Sequence, residues 1–521
     1  MPSLSISCAQ NLPRDSQMKM PTGPKKKGAD HDAPSITKVI LDYALQRYDI
    51  GYDKTLAKGF LVEKGKNPKS LYLDSPQLKY ELQYSAIETG ELLKREQVKE
   101  VVDQLQVMCY MKGQEHTVYM RVGQCRNGDV EIDLGDDSDR RVRLCKASGT
   151  WDLISAGGQV MMNRSDRMEA LPVPSPEGDW RLLLPYLNMD EDLKYLVIGY
   201  ITYLLAFPRN KDVVFPVLAV NGSQGSGKTI FLNWILRGFI DPSTSGVQRF
   251  PSSLHNMAIS AQSTYLLLYD NITRISDDLS DDLSAAATNT SFSTRELHTT
   301  SNEALFQIHF PVVLGGISGF IRKSDLLSRT LSVRMLPLGE DRASARTFVQ
   351  DLQRDASAIY GGLLDLAASG LSRIDSITPN TPERVYDFSA WLAAMEEAMG
   401  AEGLQEMYSL NHAIAQADAV TDCAPANAII NLACCLDDEV WTGTPTELLA
   451  EMCNLIEPEA LKQRDWPKNP ESLGKKIDHL QGLLHTQKVW VGRTTRGSQR
   501  QYEVYRMPGC LWQRDSEEEE E

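Results

Sequence analysis

Apolar residues recur every three to four positions in ITKVILDYALQRY, from Ile36, and again in GELLKREQVKEVVDQLQVMCYM, ending at Met111. That spacing predicts helices, so residues 35–112 read as a helix-rich N-terminal domain. The period drops to two in TVYMRV, EIDLG and RRVRLCKA, separated by Asn-Gly and Gly-Asp-Asp turns, which predicts short antiparallel strands in a β-rich segment and linker over 113–178. From 179 to 340 helical stretches alternate with apolar strands, the pattern of a mostly parallel sheet covered on both faces. Residues 341–424 are helical again, broken at SITPNTPE. From 425 to 510 the order is helix, short strand, two helices and two strands around TTRGS. There Thr444-Pro445-Thr446-Glu447 forms a capping box with proline at the first helical position.

A chain of 521 residues is too long for one compact core and reads as an α/β multidomain protein. Hydrophobic residues at 42% and charged residues at 24% are ordinary for a soluble protein, so disorder is expected only in the tails, 1–34 and the acidic 511–521. The longest apolar run, Tyr195 to Phe207, is too short to span a bilayer and reads as a buried helix. With no signal-peptide layout at the start, a cytoplasmic protein without a membrane partner is expected. Nine scattered cysteines without a Cys-x-x-Cys pair suggest neither a zinc knuckle nor a disulfide framework.

A net charge of −16 argues against a protein that coats nucleic acid with its whole surface. Between Lys462 and Arg506, however, ten Lys or Arg residues face four acids. Helices followed by a terminal hairpin suggest a winged helix, in which Lys475 and Lys476 on a helix and Arg493, Arg496 and Arg500 around the turn are candidates for DNA contact. A protein-docking module or an ordinary soluble surface is the plainer alternative.

The strongest chemical signal is GSQGSGKT, Gly222, Ser223, Gln224, Gly225, Ser226, Gly227, Lys228 and Thr229, between an apolar strand and an amphipathic helix. Glycines let consecutive backbone N–H groups curl around phosphates. Lys228 would reach the β- and γ-phosphates of ATP, and the Thr229 hydroxyl would ligate Mg2+. About forty residues on, the strand YLLLYDN delivers Asp270 as a second magnesium holder. Asn271 follows it where many nucleotidases place glutamate; an amide cannot take a proton but can orient water. The acids Asp277, Asp278, Asp281 and Asp282 read mainly as a solvated helix face.

The order GSQGSGKT, YLLLYDN, LSDDLSAAATNTSFSTRELHTT, PVVLGGI and DLLSRTLSVRMLPL resembles the ATPases of bacteriophages, plasmids and integrated elements, which are related to superfamily 3 helicases and the helicase halves of viral primase-helicases. The resemblance covers roughly 115–510 and is most specific over 215–338. It implies an AAA+ core with a helical lid, acting as a DNA-replication motor in a ring, usually a hexamer, with a primase or another replication protein as partner. It assigns Gly222, Gly227, Lys228 and Thr229 to phosphate and magnesium, Asp270 to magnesium, and Arg329 to an arginine finger across a subunit interface; Arg322 and Lys323 are weaker candidates. It places Arg295 and His298 in a hairpin facing DNA in the central pore, although Arg295 could equally serve a neighbour's nucleotide. Arg384 is a further guess for phosphate contact from the lid. The chain departs from the pattern at Gly315, where an asparagine usually senses the γ-phosphate and Ser318 or a water would have to substitute. It departs again at Thr288-Asn289-Thr290-Ser291, which replaces Thr-Gly-Gly-Gly. An ATP-driven translocase or helicase is the leading expectation. A switch or loader that remodels a protein with slow hydrolysis is the alternative, and a complete primase-helicase ranks last.

Overall fold

The computed structural model describes residues 35–508 apart from 89, 91, 211, 288–289, 296–302, 318, 340–343, 437–438, 464–465 and 497–498. The chain forms two compact units, Met1–Gly65 with Lys69–Thr117, and Lys66–Pro68 with Val118–Glu521.

In the first unit, helices Ile36–Arg47, Pro76–Glu88 and Arg95–Lys112 bury Ile40 and Ala44, Leu78 and Leu82, and Val101 and Leu105 in one cluster. The i, i+4 spacing of each pair puts it on one helical face. The unit is not helical throughout. Strands Tyr48–Asp53, Lys58–Glu63 and Lys69–Tyr72 run antiparallel between the helices, with Tyr48 opposite Glu63 and Phe60 opposite Tyr72. Each has at most six residues, too few for a period of two to stand out beside the long helical patterns.

The second unit opens with an antiparallel meander, Val122–Gln124, Val130–Asp133, Arg141–Cys145 and Thr150–Ile154. Its strands carry buried charge as well as apolar residues. Glu131 accepts from Arg141 Nη1 and Arg143 Nη2, each at 2.9 Å. Arg121, fully buried, donates from Nε to Asp241 at 3.0 Å, and its Nη atoms reach the carbonyls of Asp133, Leu134, Glu169 and Pro242.

The central sheet has five strands, β1 (Val217–Asn221), β2 (Gln248–Arg249), β3 (Leu267–Ile272), β4 (Val312–Gly316) and β5 (Thr330–Arg334), in the order β2-β3-β4-β1-β5, all parallel. Alternate residues feed two separate cores. Leu218, Val220, Leu268, Val313 and Leu331 join one cluster, and Val217, Ala219, Leu267, Val312 and Leu314 the other, so both faces are covered as the run of apolar strands requires.

Helix α1 (Glu191–Ala206), buried from Leu196 to Ala206, packs in the first cluster with α4 (Ala345–Arg373) and α5 (Tyr386–Met399); between them in sequence lie α2 (Asp277–Ala287) and the short α3 (Ser324–Leu327). Next, α6 (Leu404–Thr421) docks on edge strand β5, where Asn411 accepts from Ser332 N–H at 2.9 Å and donates to its carbonyl at 2.6 Å. This pairing satisfies backbone groups that an edge strand would otherwise expose.

The C-terminal elements are α7 (Ala424–Cys434), strand Trp441–Gly443, α8 (Pro445–Asn454), α9 (Pro470–Thr486) and the antiparallel strands Val489–Arg496 and Gln499–Arg506. The capping box forms, with Glu447 N–H to Thr444 Oγ1 at 3.3 Å and Thr444 N–H to Glu447 Oε2 at 2.7 Å. Packing does not break near 425: Leu473, Ile477 and Val489 lie in the same buried cluster as Leu267 and Leu314 of the sheet. Among the described residues no helix is long and apolar enough to cross a membrane.

Candidate functional site

Because all five strands are parallel, their carboxyl ends share one edge, the place where open parallel sheets bind ligands. Residues 222–229 follow β1 at that edge. Gly225 and Gly227 have φ of +82° and +88°, left-handed values that a side chain would strain by roughly 1–2 kcal/mol. Gly227 caps the helical run that starts at Lys228–Ile230 and continues through the wider π turns of Phe231–Leu236 to Arg237–Ile240. The loop is held from the side by Asn188, which donates to Ser226 O at 3.3 Å and to Leu336 O at 2.6 Å.

Lys228 Nζ donates to the carbonyls of Gly222 and Ser223, each at 2.8 Å, which folds the side chain back over the loop. Thr229 Oγ1 donates to Asp270 Oδ2 at 2.8 Å. Two sequence candidates forty-one residues apart thus meet through their oxygen atoms. Asp270 is only 6% exposed and points from β3 toward the loop.

Asn271, which stands where many nucleotidases place glutamate, and Gly315 both bear on the Asp270 carboxylate; Thr288 and Asn289 of the other departure lie outside the described residues. Asn271 has φ +60°, at a register shift between β3 and β4, and its backbone N–H donates to Asp270 Oδ1 at 2.7 Å. Asparagine adopts that conformation more readily than glutamate does. At Gly315 an added Cβ would meet the same Oδ1 at 2.7 Å and Leu232 Cδ1 at 2.9 Å, so the carboxylate occupies the space a sensing side chain would need. Asn271→Gly should therefore keep the melting temperature within about 2 °C, because glycine also accepts this backbone. If the exposed amide orients water, the same variant loses hydrolysis without losing nucleotide affinity, as a fluorescent ATP analogue would read.

The remaining candidates lie elsewhere. Arg329 precedes β5, where Thr330 pairs with Val217, at the amino edge of the sheet and away from the loop. It is 7% exposed, with Nη1 on the Asp325 carbonyl at 2.8 Å and on Asp325 Oδ1 at 2.7 Å. Arg384, the guess for phosphate contact from the lid, pairs with the same Asp325 Oδ1 at 3.0 Å, beside Arg329. Burial alone would raise the Asp325 carboxyl, but the Arg329 hydrogen bond and charge, with help from Ser284 and Arg384, bring it below the usual carboxylate range. Lys323 pairs with Asp281 at 2.7 Å, and the four acids of α2 do not line the cleft beside the loop. Arg295 ends a strand, Thr290–Arg295, that pairs antiparallel with Glu303–Ile308; His298 and Ser318 lie outside the described residues.

In the C-terminal part, Arg493 donates to Tyr502 Oη at 3.2 Å and pairs with Asp478, and Lys475 pairs with Glu471 at 3.5 Å. Arg500 is exposed on the last strand, and Arg496 ends the strand before it. Sequence reasoning missed Asn188, Asn411 and Asp325, single polar residues that act across 38, 79 and 59 positions and belong to no local pattern.

Two family models match the chain, the actinomycete integrative conjugative element replication protein over residues 190–422 and the AICE RepA C-terminal domain over 426–515. No curated protein matches. Two solved apo structures of the NrS-1 C terminal region are similar at 10% identity, covering 90% of this chain and 98% of theirs, with TM-scores of 0.37 and 0.35. That likeness carries no argument about fold or chemistry. The loop and Asp270 both fall within the first family match and the basic hairpin within the second, so over these residues the chain is similar to the replication proteins of actinomycete integrative conjugative elements.

Proposed function

We propose that the chain is an ATP-dependent DNA translocase or helicase of such an element's replication system, working as a ring with an AAA+-type core. The observation that carries the nucleotide reading is the 2.8 Å contact between Thr229 Oγ1 and Asp270 Oδ2 beside two left-handed glycines. The residues fit ATP with magnesium: a hydroxyl and a carboxylate are the hard oxygen donors that this cation takes, and the glycine turns leave backbone N–H groups for phosphate oxygens. Bound together, the metal and triphosphate supply a phosphoryl group whose developing charge is partly neutralised.

On this reading Lys228 gives up its two loop carbonyls to take phosphate oxygens. The N–H of Asn271 fixes which lone pairs Asp270 presents, and the Asn271 amide orients the attacking water. Arg329 acts in a neighbouring subunit. The hairpin ending at Arg295 faces DNA in the pore, and Lys475, Lys476, Arg493, Arg496 and Arg500 meet duplex at a winged helix built from α7, α8, α9 and the three C-terminal strands.

One observation favours the slower switch or loader. Among the described residues lining the cleft beside the loop, Asp270 is the only carboxylate, and none of the others is an acid that could serve as base. A tailed duplex with one labelled strand separates the two readings. The motor predicts ATP-dependent displacement that Lys228→Ala abolishes; a switch assembles and binds ATP yet displaces nothing.

A further inference from the structure

We infer that Arg384 and Arg329, joined by Asp325, form a two-guanidinium receptor for the terminal phosphate of a nucleotide held in the loop of a second copy of this chain. The inference rests on the ATPase reading and adds to it a second arginine and its positioning residue.

Both guanidiniums share one carboxylate oxygen, at 2.7 and 3.0 Å, so the trio keeps one positive charge. Glu383, next to Arg384, keeps its own negative charge and turns it toward His412 at 3.0 Å. Arg329 spends only Nη1, and its buried Nε has no hydrogen-bond partner. A buried guanidinium N–H without a partner is costly, and a phosphate oxygen would satisfy it once Arg329 turns to bring it to the surface. The Arg384 side chain is 52% exposed and is the arginine of the pair that an arriving phosphate meets first. The chain's own nucleotide is out of reach. Thr330 lies opposite Val217, and the loop begins beyond Asn221, about 13 Å farther along the strand. A phosphate at this edge must come from another molecule. Heterologous contact, one copy's amino edge against the next copy's carboxyl edge, is also the geometry that closes rings.

Asp325 is the positioning residue: without its carboxylate two guanidiniums repel each other and Arg329 keeps only the backbone carbonyl of that position.

The test mixes two variants. Arg384→Ala and Lys228→Ala alone should each hydrolyse ATP at least about a hundredfold more slowly than wild type, since a charge-stabilising donor is removed in each. An equimolar mixture should recover about a quarter of the wild-type rate, because a quarter of the interfaces then join an intact loop to an intact Arg384. Recovery also shows that both variants fold. Arg384→Lys, which keeps the charge but loses the planar fork, should fall between wild type and alanine. Wild-type hydrolysis by Arg384→Ala, or a mixture no faster than its components, would overturn the inference while leaving the nucleotide reading intact. Reduced DNA affinity in Arg384→Ala with undiminished hydrolysis overturns it too and assigns the pair to a nucleic-acid phosphate. If the wild-type chain hydrolyses no ATP, the nucleotide reading falls and this inference with it.

Discussion

Lys228→Ala should leave the folded chain nearly intact and lower ATP hydrolysis by about a thousandfold, the upper end for deleting one charge-stabilising donor from an active site. The ammonium is the only cation among the described residues lining the cleft beside the loop. Its present partners, the carbonyls of Gly222 and Ser223, are partly exposed and can turn to water once it is gone. The loss of stability is accordingly small, within about 1 kcal/mol. Steady-state hydrolysis and a thermal melt on the same preparation check both halves. A melt lowered by more than a few degrees would mean that Lys228 holds the loop in shape as well as binding phosphate.

The second large effect is structural and reaches the site from behind. Asp241→Ala should cost about 3–5 kcal/mol, the range for breaking a buried ion pair by removing one partner. Asp241 sits between Arg121 Nε at 3.0 Å and Arg237 Nη1 at 3.5 Å, all three side chains at most 4% exposed, and it also accepts the N–H groups of Tyr265 and Leu266 at 2.8 and 3.1 Å. Alanine leaves Arg121 and Arg237 with backbone carbonyls but no countercharge, and frees two backbone donors at once. The melting temperature should fall by about 10 °C.

Nucleotide affinity should fall with it. Asp241 ends the helical run that Lys228 begins, and Tyr265 leads into the strand that carries Asp270, so one carboxylate sets the spacing that lets Thr229 meet Asp270. Arg121→Met should be milder, because Asp241 keeps Arg237 and both N–H groups. Differential scanning of the two variants side by side decides whether the carboxylate or the arginine governs the junction.

The parts of the site legible in the sequence are those with local requirements. Left-handed turns need glycine, so Gly225 and Gly227 announce the loop, and an apolar strand ending in an acid announces Asp270. The C-terminal element order was legible for the same reason, since Thr444, Pro445 and Glu447 fix a helix start within four residues. Asn271 and Gly315 looked like two separate losses. Their shared cause, one carboxylate oxygen held by the first and accommodated by the second, depends on strands that pair only in the folded sheet. The Arg121–Asp241 pair spans 120 positions and had no signature at all. Nor did Asp325, an ordinary acid in a short helix until Arg384, from the segment before α5, closes on it.

The central claim is that the contact between Thr229 and Asp270 belongs to a site that hydrolyses ATP in the service of DNA movement. The most direct measurement is the wild-type hydrolysis rate with and without single-stranded DNA, beside Lys228→Ala under the same conditions. The account predicts measurable hydrolysis that rises severalfold with DNA and is absent from the variant in both cases. A wild-type chain that hydrolyses no ATP, or a rate that DNA leaves unchanged, would contradict it.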